Sequence, residues 1–124
     1  MSGFKVVVPG QPPSVNHGYR IVKQFRKNGV PYRTIALTPE VVAYKEYAYL
    51  ITKTTKPSKW KPGTWVHLRY RLFLANRQDA DNSLKFLNDA IASALDVNDD
   101  IFLPCVISKE IVPAKEARVE VTID

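Results

Sequence analysis

The acidic residues of this chain gather in one stretch, residues 77–100, which reads RQDADNSLKFLNDAIASALDVNDD. The stretch holds six of the twelve Asp and Glu residues, although the chain carries a formal net charge of +6. Its first two acids, Asp79 and Asp81, are two residues apart, so in an extended strand their side chains point to the same face. On a solvated surface this spacing has no importance, whereas in a metal site it decides which oxygens reach the ion.

Several carboxylates with one lysine are the groups that metal-assisted hydrolysis of a phosphodiester requires. Mg²⁺ takes oxygen ligands, usually one or two carboxylates completed by water and substrate phosphate. The bound ion lowers the pKa of an attacking water and neutralises charge on the phosphoryl oxygens. Lys85, one helical turn after Asp81, would supply a fixed positive charge near the transition state. Asp99 and Asp100 join this site only if a return strand brings them back beside the start of the helix.

Structural roles compete for the same side chains. Asp81 stands where the N-cap of a helix is expected, so its carboxylate is as well suited to capping as to metal binding. Lys85 and Asp89 are four residues apart, which is also the spacing of an ordinary surface ion pair on a helix. Both interpretations stay open at this point.

Other metal and nucleotide sites are excluded by the sequence. An EF-hand calcium loop that began at Asp79 would need glycine at position six and glutamate at position twelve, where this chain has Leu84 and Ala90. Zinc is poorly supported because the two histidines and the cysteine are far apart and lack ligand spacing: His17, His67 and Cys105. A phosphate-binding GxxxxGK[ST] loop is missing, which argues against an NTPase and a nucleotide cofactor.

The elements that must position the acids are predicted from hydrophobic periodicity. Residues 66–74 alternate apolar and polar side chains, as in a half-buried strand, and end just before Asp79. Residues 82–95 have apolar side chains at helical spacing. A further helix is predicted to start at Thr38-Pro39-Glu40 and to run to about Thr52. Other strands are predicted at 4–8, 101–112 and 118–123. We therefore expect a single α+β domain over residues 1–124, with a small mixed β-sheet and two main helices.

A basic β-hairpin is predicted between residues 20 and 37. Its two runs flank Asn28-Gly29, a dipeptide that favours a tight hairpin turn, and Pro31 makes the second run an edge strand. The cations alternate with aromatic residues. In this arrangement the cations could bind a phosphate backbone and the aromatic rings could stack on bases. An ordinary solvated ribbon fits equally well. The cations are Arg20, Lys23, Arg26, Lys27 and Arg33.

Composition narrows the class of protein. The longest apolar runs fall far below the roughly 20 residues that a membrane-spanning helix needs. The N-terminus lacks the basic and apolar regions of a signal peptide. A single cysteine, Cys105, allows no internal disulfide and favours a reducing cytoplasm. The excess of basic residues permits an anionic partner but is weak support for one.

The acidic stretch resembles the signature of the RusA-like Holliday junction resolvases, small dimeric endonucleases that are common on prophages. The resemblance covers most of the chain, since the N-terminal segment and the closing strands also have counterparts in that family. The matching residues are Asp79-x-Asp81-Asn82-x-x-Lys85-x-x-x-Asp89-Ala90-Ile91, then Val97-x-Asp99-Asp100, and near the N-terminus Pro12-Pro13-Ser14-Val15-Asn16.

The resemblance implies a role for each matching residue. Asp79, Asp81 and Asp100 would bind Mg²⁺, with Mn²⁺ as a substitute, and Lys85 would be the catalytic cation. Asp89 would support Lys85 or the helix. The implied activity is resolution of four-way DNA junctions in recombination and repair, by a homodimer in the cytoplasm of a bacterium or a phage-infected cell. The implied DNA contacts are Asn16, Arg77 and Asn82, together with the hairpin residues Arg20, Lys23, Arg26 and Lys27.

Two positions depart from the family pattern. Gln78 replaces the arginine that familiar members carry directly before the first aspartate, and Arg77 lies one step earlier. Asp96 replaces a glycine that is frequent in the turn before the acid pair. The loss of an arginine at position 78 bears on junction affinity or cleavage rate more than on the class of reaction.

Two other functions fit the same residues. One is a non-catalytic DNA-binding protein whose acids cap helices and pair with lysines. The other is a small interaction module whose acidic turn meets a basic partner. Both predict that the protein does not nick branched DNA in the presence of Mg²⁺.

Overall fold

The computed structural model describes residues 3–15 and 18–124. Asn16, a predicted DNA contact, lies outside the described residues. The elements in chain order are β1 (Phe4–Pro9), β2 (Tyr19–Phe25), β3 (Pro31–Leu37), α1 (Pro39–Thr55), β4 (Val66–Leu74), α2 (Ala80–Leu95), β5 (Phe102–Ile111) and β6 (Arg118–Ile123). Short 3₁₀ helices, Asp99–Ile101 and Ala114–Glu116, precede β5 and β6. The predicted α+β class, mixed sheet and two main helices are confirmed.

Four strands form one mixed sheet in the order β1-β6-β4-β5. β6 runs antiparallel to both of its neighbours, whereas β4 and β5 are parallel. Their register pairs Val66 with Phe102 at one edge and Leu74 with Ile111 at the other. Since parallel strands need a crossover connection, α2 runs back along the sheet between the end of β4 and the start of β5. This crossover decides where the acidic residues lie.

The core forms where the two helices cover one face of the sheet. In β4 the alternation predicted from the sequence is observed, with every residue from Val66 to Leu74 at even positions fully buried. These side chains pack against the apolar face of α2, which includes Leu84, Leu87 and Ile91. Burial of this stripe accounts for the helical periodicity of residues 82–95. Trp60 is also buried and its ring meets that of Phe4 edge-on at 5.6 Å between centroids, so it anchors the loop of residues 56–63, which contains three lysines, to the core.

The start of α1 agrees with the prediction, whereas the start of α2 differs from it. α1 begins after Thr38, whose side-chain oxygen accepts a hydrogen bond from Val41 N at 3.4 Å. α2 begins at Ala80, two residues earlier than predicted, with Asp79 in the N-cap position. The expectation that Asp81 occupies the N-cap is therefore wrong. Because the strand ends at Leu74 and four residues follow before Asp79, the chain has room to turn earlier than the apolar periodicity indicates.

The hairpin forms a second sheet of two strands, β2 and β3. Gly29 has φ +84°, and Arg26 N donates a hydrogen bond to Val30 O at 2.9 Å, which closes the turn around the predicted Asn28-Gly29 dipeptide. The predicted hairpin is confirmed. Within the described residues, no helix has both the length and the apolar character needed to cross a membrane.

Candidate active site

Asp79 and Asp81 lie at the N-terminal end of α2, and both are exposed. The carbonyl oxygen of Asp79 accepts hydrogen bonds from Ser83 N at 3.0 Å and Ser83 Oγ at 2.8 Å, which fixes the first turn of the helix. The Asp79 side chain makes no capping hydrogen bond. Neither carboxylate has a hydrogen bond or an ion pair with any residue that the structure describes. Two acids at the positive end of a helix dipole are favourably placed and remain available for a cation.

The loop before Asp79 is held by two glutamines, which we call the amide clasp: Gln11 and Gln78. Gln11 Nε2 donates to Asn76 Oδ1 at 3.2 Å and to Gln78 Oε1 at 3.0 Å, while Gln11 Oε1 accepts from Ala75 N at 2.7 Å. Gln78 Nε2 in turn donates to Pro12 O at 3.0 Å. The clasp joins the N-terminal loop to the end of β4. The amide of Gln78 therefore has a structural role in this chain.

Lys85 lies one turn further along α2 and shares a groove with Asp81. The groove has a volume of about 240 Å³ and is bounded by β5 at Pro104 and Val106. Lys85 Nζ donates to both carboxylate oxygens of Asp89, at 3.0 Å each. This hydrogen bond is the main reason why the pKa of Lys85 is raised, and the charge of Asp99 adds to it. Lys85 is therefore fully protonated at neutral pH, and Asp89 holds its ammonium group beside the groove.

Asp99 and Asp100 lie at the other end of α2. The 3₁₀ helix that contains them leads into Phe102, which pairs with Val66 at the start of β4, whereas Asp79 follows the end of β4. The 16-residue helix between these two sites spans about 24 Å. The expectation that a return strand brings Asp100 back beside Asp79 within one chain is wrong, because β5 runs parallel to β4 and so starts at the opposite edge.

The carboxylates at this end of α2 supply only part of the ligand set of a hard divalent cation. No group of three or more His, Cys, Asp or Glu side chains that could hold a metal ion occurs within residues 3–15 and 18–124. Two carboxylates can nevertheless hold Mg²⁺, since the ion usually keeps several waters and binds substrate phosphate. Asp79 and Asp81 are therefore the residues of one chain that would hold the ion.

Comparison with known proteins adds the decisive observation. A family model described as Endodeoxyribonuclease RusA matches residues 9–124. The chain belongs to this family. Comparison with curated proteins gives no match. Because RusA endodeoxyribonucleases are Holliday junction resolvases, membership supports nuclease activity on branched DNA.

The residues proposed to contact DNA are distributed around this RusA domain. Arg77 is exposed two residues before Asp79, and Asn82 is half-buried in the first turn of α2. The hairpin cations are all exposed: Arg20, Lys23, Arg26, Lys27 and Arg33. Two of them lie over aromatic rings, Lys23 over Phe25 at 5.7 Å and Arg26 over Tyr32 at 5.3 Å.

Two features of the RusA site were missed by reasoning from the sequence. Gln11 is one, since an amide that bonds a distant loop leaves no periodic signal in the sequence. The packing of Tyr19 on Phe86, with ring centroids 5.8 Å apart, was missed for the same reason. It places the base of the hairpin on the residue that follows Lys85.

Proposed function

We propose that the protein is a Mg²⁺-dependent, structure-selective endodeoxyribonuclease that resolves four-way DNA junctions as a homodimer, in recombination and repair. The observation that carries the proposal is the pair Asp79 and Asp81, exposed at the N-terminal end of α2 and without a partner among the described residues, after a loop that the amide clasp holds in place. Lys85, which Asp89 holds by a hydrogen bond, lines one groove with Asp81. Membership of the RusA family supports the reaction class.

The residues of this chain would have distinct roles in the reaction. Asp79 and Asp81 would hold the divalent ion, Mg²⁺ or in its place Mn²⁺. The ion would lower the pKa of a water and neutralise charge on the phosphate. Lys85 would stabilise the negative charge that develops on the phosphoryl oxygens. Arg77 and Asn82, with Asn16 and the hairpin cations, would hold the DNA backbone around this point.

A homodimer would supply the third carboxylate. β5 is an edge strand of the sheet, and it exposes four large apolar side chains: Leu103, Val106, Ile107 and Ile111. A twofold axis through the middle of β5 would align two copies of the strand in opposite directions. The partner's Asp99 and Asp100 would then lie at the edge where β4 ends, beside Asp79 and Asp81 of this chain. Each metal site would therefore draw its ligands from both chains.

The first experiment tests the reaction. Purified protein is incubated with a synthetic mobile four-way junction, with and without Mg²⁺, and the cuts are mapped. We expect paired, symmetrical cuts that require Mg²⁺, and we expect Asp79→Asn to abolish them while junction binding survives. Intact cleavage by Asp79→Asn would refute the proposal.

A second experiment tests the shared site, using Asp79→Asn and Asp100→Asn subunits. In a mixed dimer, a shared site leaves one centre with both substitutions and the other centre fully intact. Mixing two inactive variants should therefore restore nicking, because about half of randomly formed dimers are mixed. If all ligands of a site came from one chain, every centre would carry a substitution and the mixture would stay inactive.

One observation favours an alternative function, that of a DNA-binding protein without catalysis. Because Asp100 lies far from Asp79 within one chain, a monomer with purely structural acids would be a DNA-binding protein without catalysis. That function predicts junction binding by a monomer and an absence of Mg²⁺-dependent cuts. The proposed nuclease would act in the cytoplasm of a bacterium or a phage-infected cell, because its DNA substrate is there.

A further inference from the structure

The β2–β3 hairpin has one face that is both apolar and basic, and we call it the Tyr19 face. Residues two apart in a strand share a face. The cross-strand pairs on this face are Tyr19 with Leu37, Ile21 with Ile35, Lys23 with Arg33, and Phe25 with Pro31. Aliphatic, cationic and aromatic side chains therefore follow one another from the base of the hairpin to its tip.

The apolar side chains of the Tyr19 face are unusually exposed. Ile21 and Ile35, directly opposite each other, are 70% and 69% exposed, and Phe25 is 65% exposed. The hairpin forms its own two-stranded sheet, and ribbons of this kind are only marginally stable when nothing covers them. An exposed apolar patch on a soluble protein commonly marks an interaction site.

Charge identifies the partner. Residues 19–37 contain five Lys and Arg residues and no Asp or Glu. Lys23 and Arg33 are paired across the strands on the Tyr19 face itself, between the isoleucine pair and Phe25. A surface that combines fixed positive charge with exposed aliphatic and aromatic side chains suits a nucleic acid whose bases are accessible, since phosphates meet the cations and bases meet the apolar groups.

The base of the hairpin ties this face to the candidate active site. Gly18 approaches the Phe86 ring so closely that a Cβ atom there would lie 2.5 Å from Cε2 and Cζ of the ring. Thr38 N donates to Gly18 O at 2.9 Å, which closes the hairpin at this point. Tyr19 packs on the same ring, next to Lys85. The hairpin therefore stands beside α2, and its apolar face starts at Phe86, the residue after Lys85.

We propose that the Tyr19 face is a wedge for the branch point of a DNA junction. The Ile21–Ile35 pair would pack on bases that are unstacked where the arms meet, while Lys23 and Arg33 hold the flanking phosphates. Apolar side chains that enter a base step unstack it and bend the duplex. Such bases are freely accessible only at a branch, so the isoleucines provide structure selectivity and the cations provide general affinity. The inference deepens the proposed nuclease function and rests on it for the choice of substrate.

The test uses a four-way junction that carries 2-aminopurine at the branch point, and a linear duplex of the same sequence. Binding is measured in Ca²⁺ with Ile21→Ser/Ile35→Ser, Lys23→Gln/Arg33→Gln and the wild-type chain. Val42→Ser/Leu50→Ser is the matched control, because it removes two exposed apolar side chains from α1. Circular dichroism checks that each variant is folded.

The wild-type protein should raise 2-aminopurine fluorescence on binding, because unstacking relieves quenching. Ile21→Ser/Ile35→Ser should lose this rise and bind the junction about tenfold more weakly, with duplex binding unchanged. Lys23→Gln/Arg33→Gln should weaken binding to both DNAs and flatten the dependence of affinity on salt. The α1 control should behave as wild type.

Three results would overturn the wedge. The first is an equal loss of junction and duplex affinity in the isoleucine variant, and the second is an unchanged fluorescence of the wild-type complex. The third is dissociation of a wild-type dimer into monomers by the isoleucine substitutions, which would assign the face to a second copy of the chain. Absence of Mg²⁺-dependent cuts would remove the proposed nuclease function, whereas the fluorescence read in Ca²⁺ decides the wedge independently.

Discussion

The aspartates at the two ends of α2 lie on backbones that are fixed in different ways. At the N-terminal end, Asp79 and Asp81 have no partners among the described residues, and the backbone before them is held by the amide clasp. At the C-terminal end, Asp96 has a left-handed backbone with φ 56°, and Asn98 Oδ1 accepts a hydrogen bond from Asp100 N at 3.1 Å. At the N-terminal end the clasp fixes the backbone before the acids, whereas at the C-terminal end the Asn98 side chain and the left-handed Asp96 backbone shape the turn. Within one chain, Asp100 is therefore held apart from Asp79 and Asp81, and it can complete their metal site only across the proposed dimer.

The largest expected effect separates the two ends directly. Asp81→Asn should lower kcat for junction cleavage by about a hundredfold or more, since it removes a carboxylate that stabilises the metal and, through it, the transition state. Asp96→Asn is the matched control, because it removes the same charge from the other end and asparagine tolerates the left-handed conformation. Single-turnover cleavage measures both. Equal losses in the two variants would mean that net charge, and not the position of the acid, controls the rate.

The next effect concerns the cation beside Asp81. Lys85→Gln should lower kcat by about a hundredfold with little change in junction affinity, because its charge acts on the transition state. Lys45 also lies near Asp89, at 3.9 Å, so Lys45→Gln is a control for loss of charge around that carboxylate. It should retain activity. If the junction affinity of Lys85→Gln falls as far as its kcat, Lys85 contributes to DNA binding and not to the transition state.

Asp89 should have a smaller role than Lys85, as a positioning residue. Asp89→Asn removes the charged partner that raises the pKa of Lys85, but the lysine remains protonated at neutral pH. We therefore expect a reduced kcat with an unchanged pH profile between pH 7 and 9. A new loss of activity on the alkaline side of that range would show that Asp89 controls the protonation of Lys85 and not only its position.

The sequence predicted most of the elements but not their spatial arrangement. Residues 66–74 and 118–123 alternate so regularly that both strands were located to the residue, because a sheet covered on one face imposes that period. The sequence placed Asp79 and Asp81 at the end of a strand, whereas the structure places them at the N-terminal end of α2, after a loop that follows Leu74. The direction of β5 was not predictable, since strand periodicity is the same in parallel and antiparallel pairs, and this direction separates Asp100 from Asp79.

The clasp should contribute to stability and to the site at the N-terminal end. Gln11→Ala removes three hydrogen bonds and leaves the amide of Ala75 without a partner, which should cost about 1–2 kcal/mol in the free energy of unfolding. It should also raise the Mg²⁺ concentration needed for half-maximal cleavage, because the loop before Asp79 loosens. Gln24→Ala is the control, since Gln24 bonds Tyr32 on the exposed hairpin. A loss of stability with an unchanged Mg²⁺ requirement would confine the clasp to a structural role.

The smallest effect lies at the C-terminal end, where Asp96 occupies a position at which helices commonly carry glycine. A left-handed backbone costs a residue with a Cβ about 1 kcal/mol, less for aspartate than for most others. Asp96→Gly should therefore stabilise the fold by about 0.5 kcal/mol, net of the greater entropy of glycine in the unfolded chain. Asp96→Ala removes the same carboxylate and its weak interaction with the exposed Lys53 but keeps the strain, so it should destabilise. Thermal unfolding of the two variants distinguishes the effect of backbone conformation from the effect of the lost charge. If both variants lose stability equally, the carboxylate of Asp96 stabilises this end of the helix and the left-handed conformation has no measurable cost.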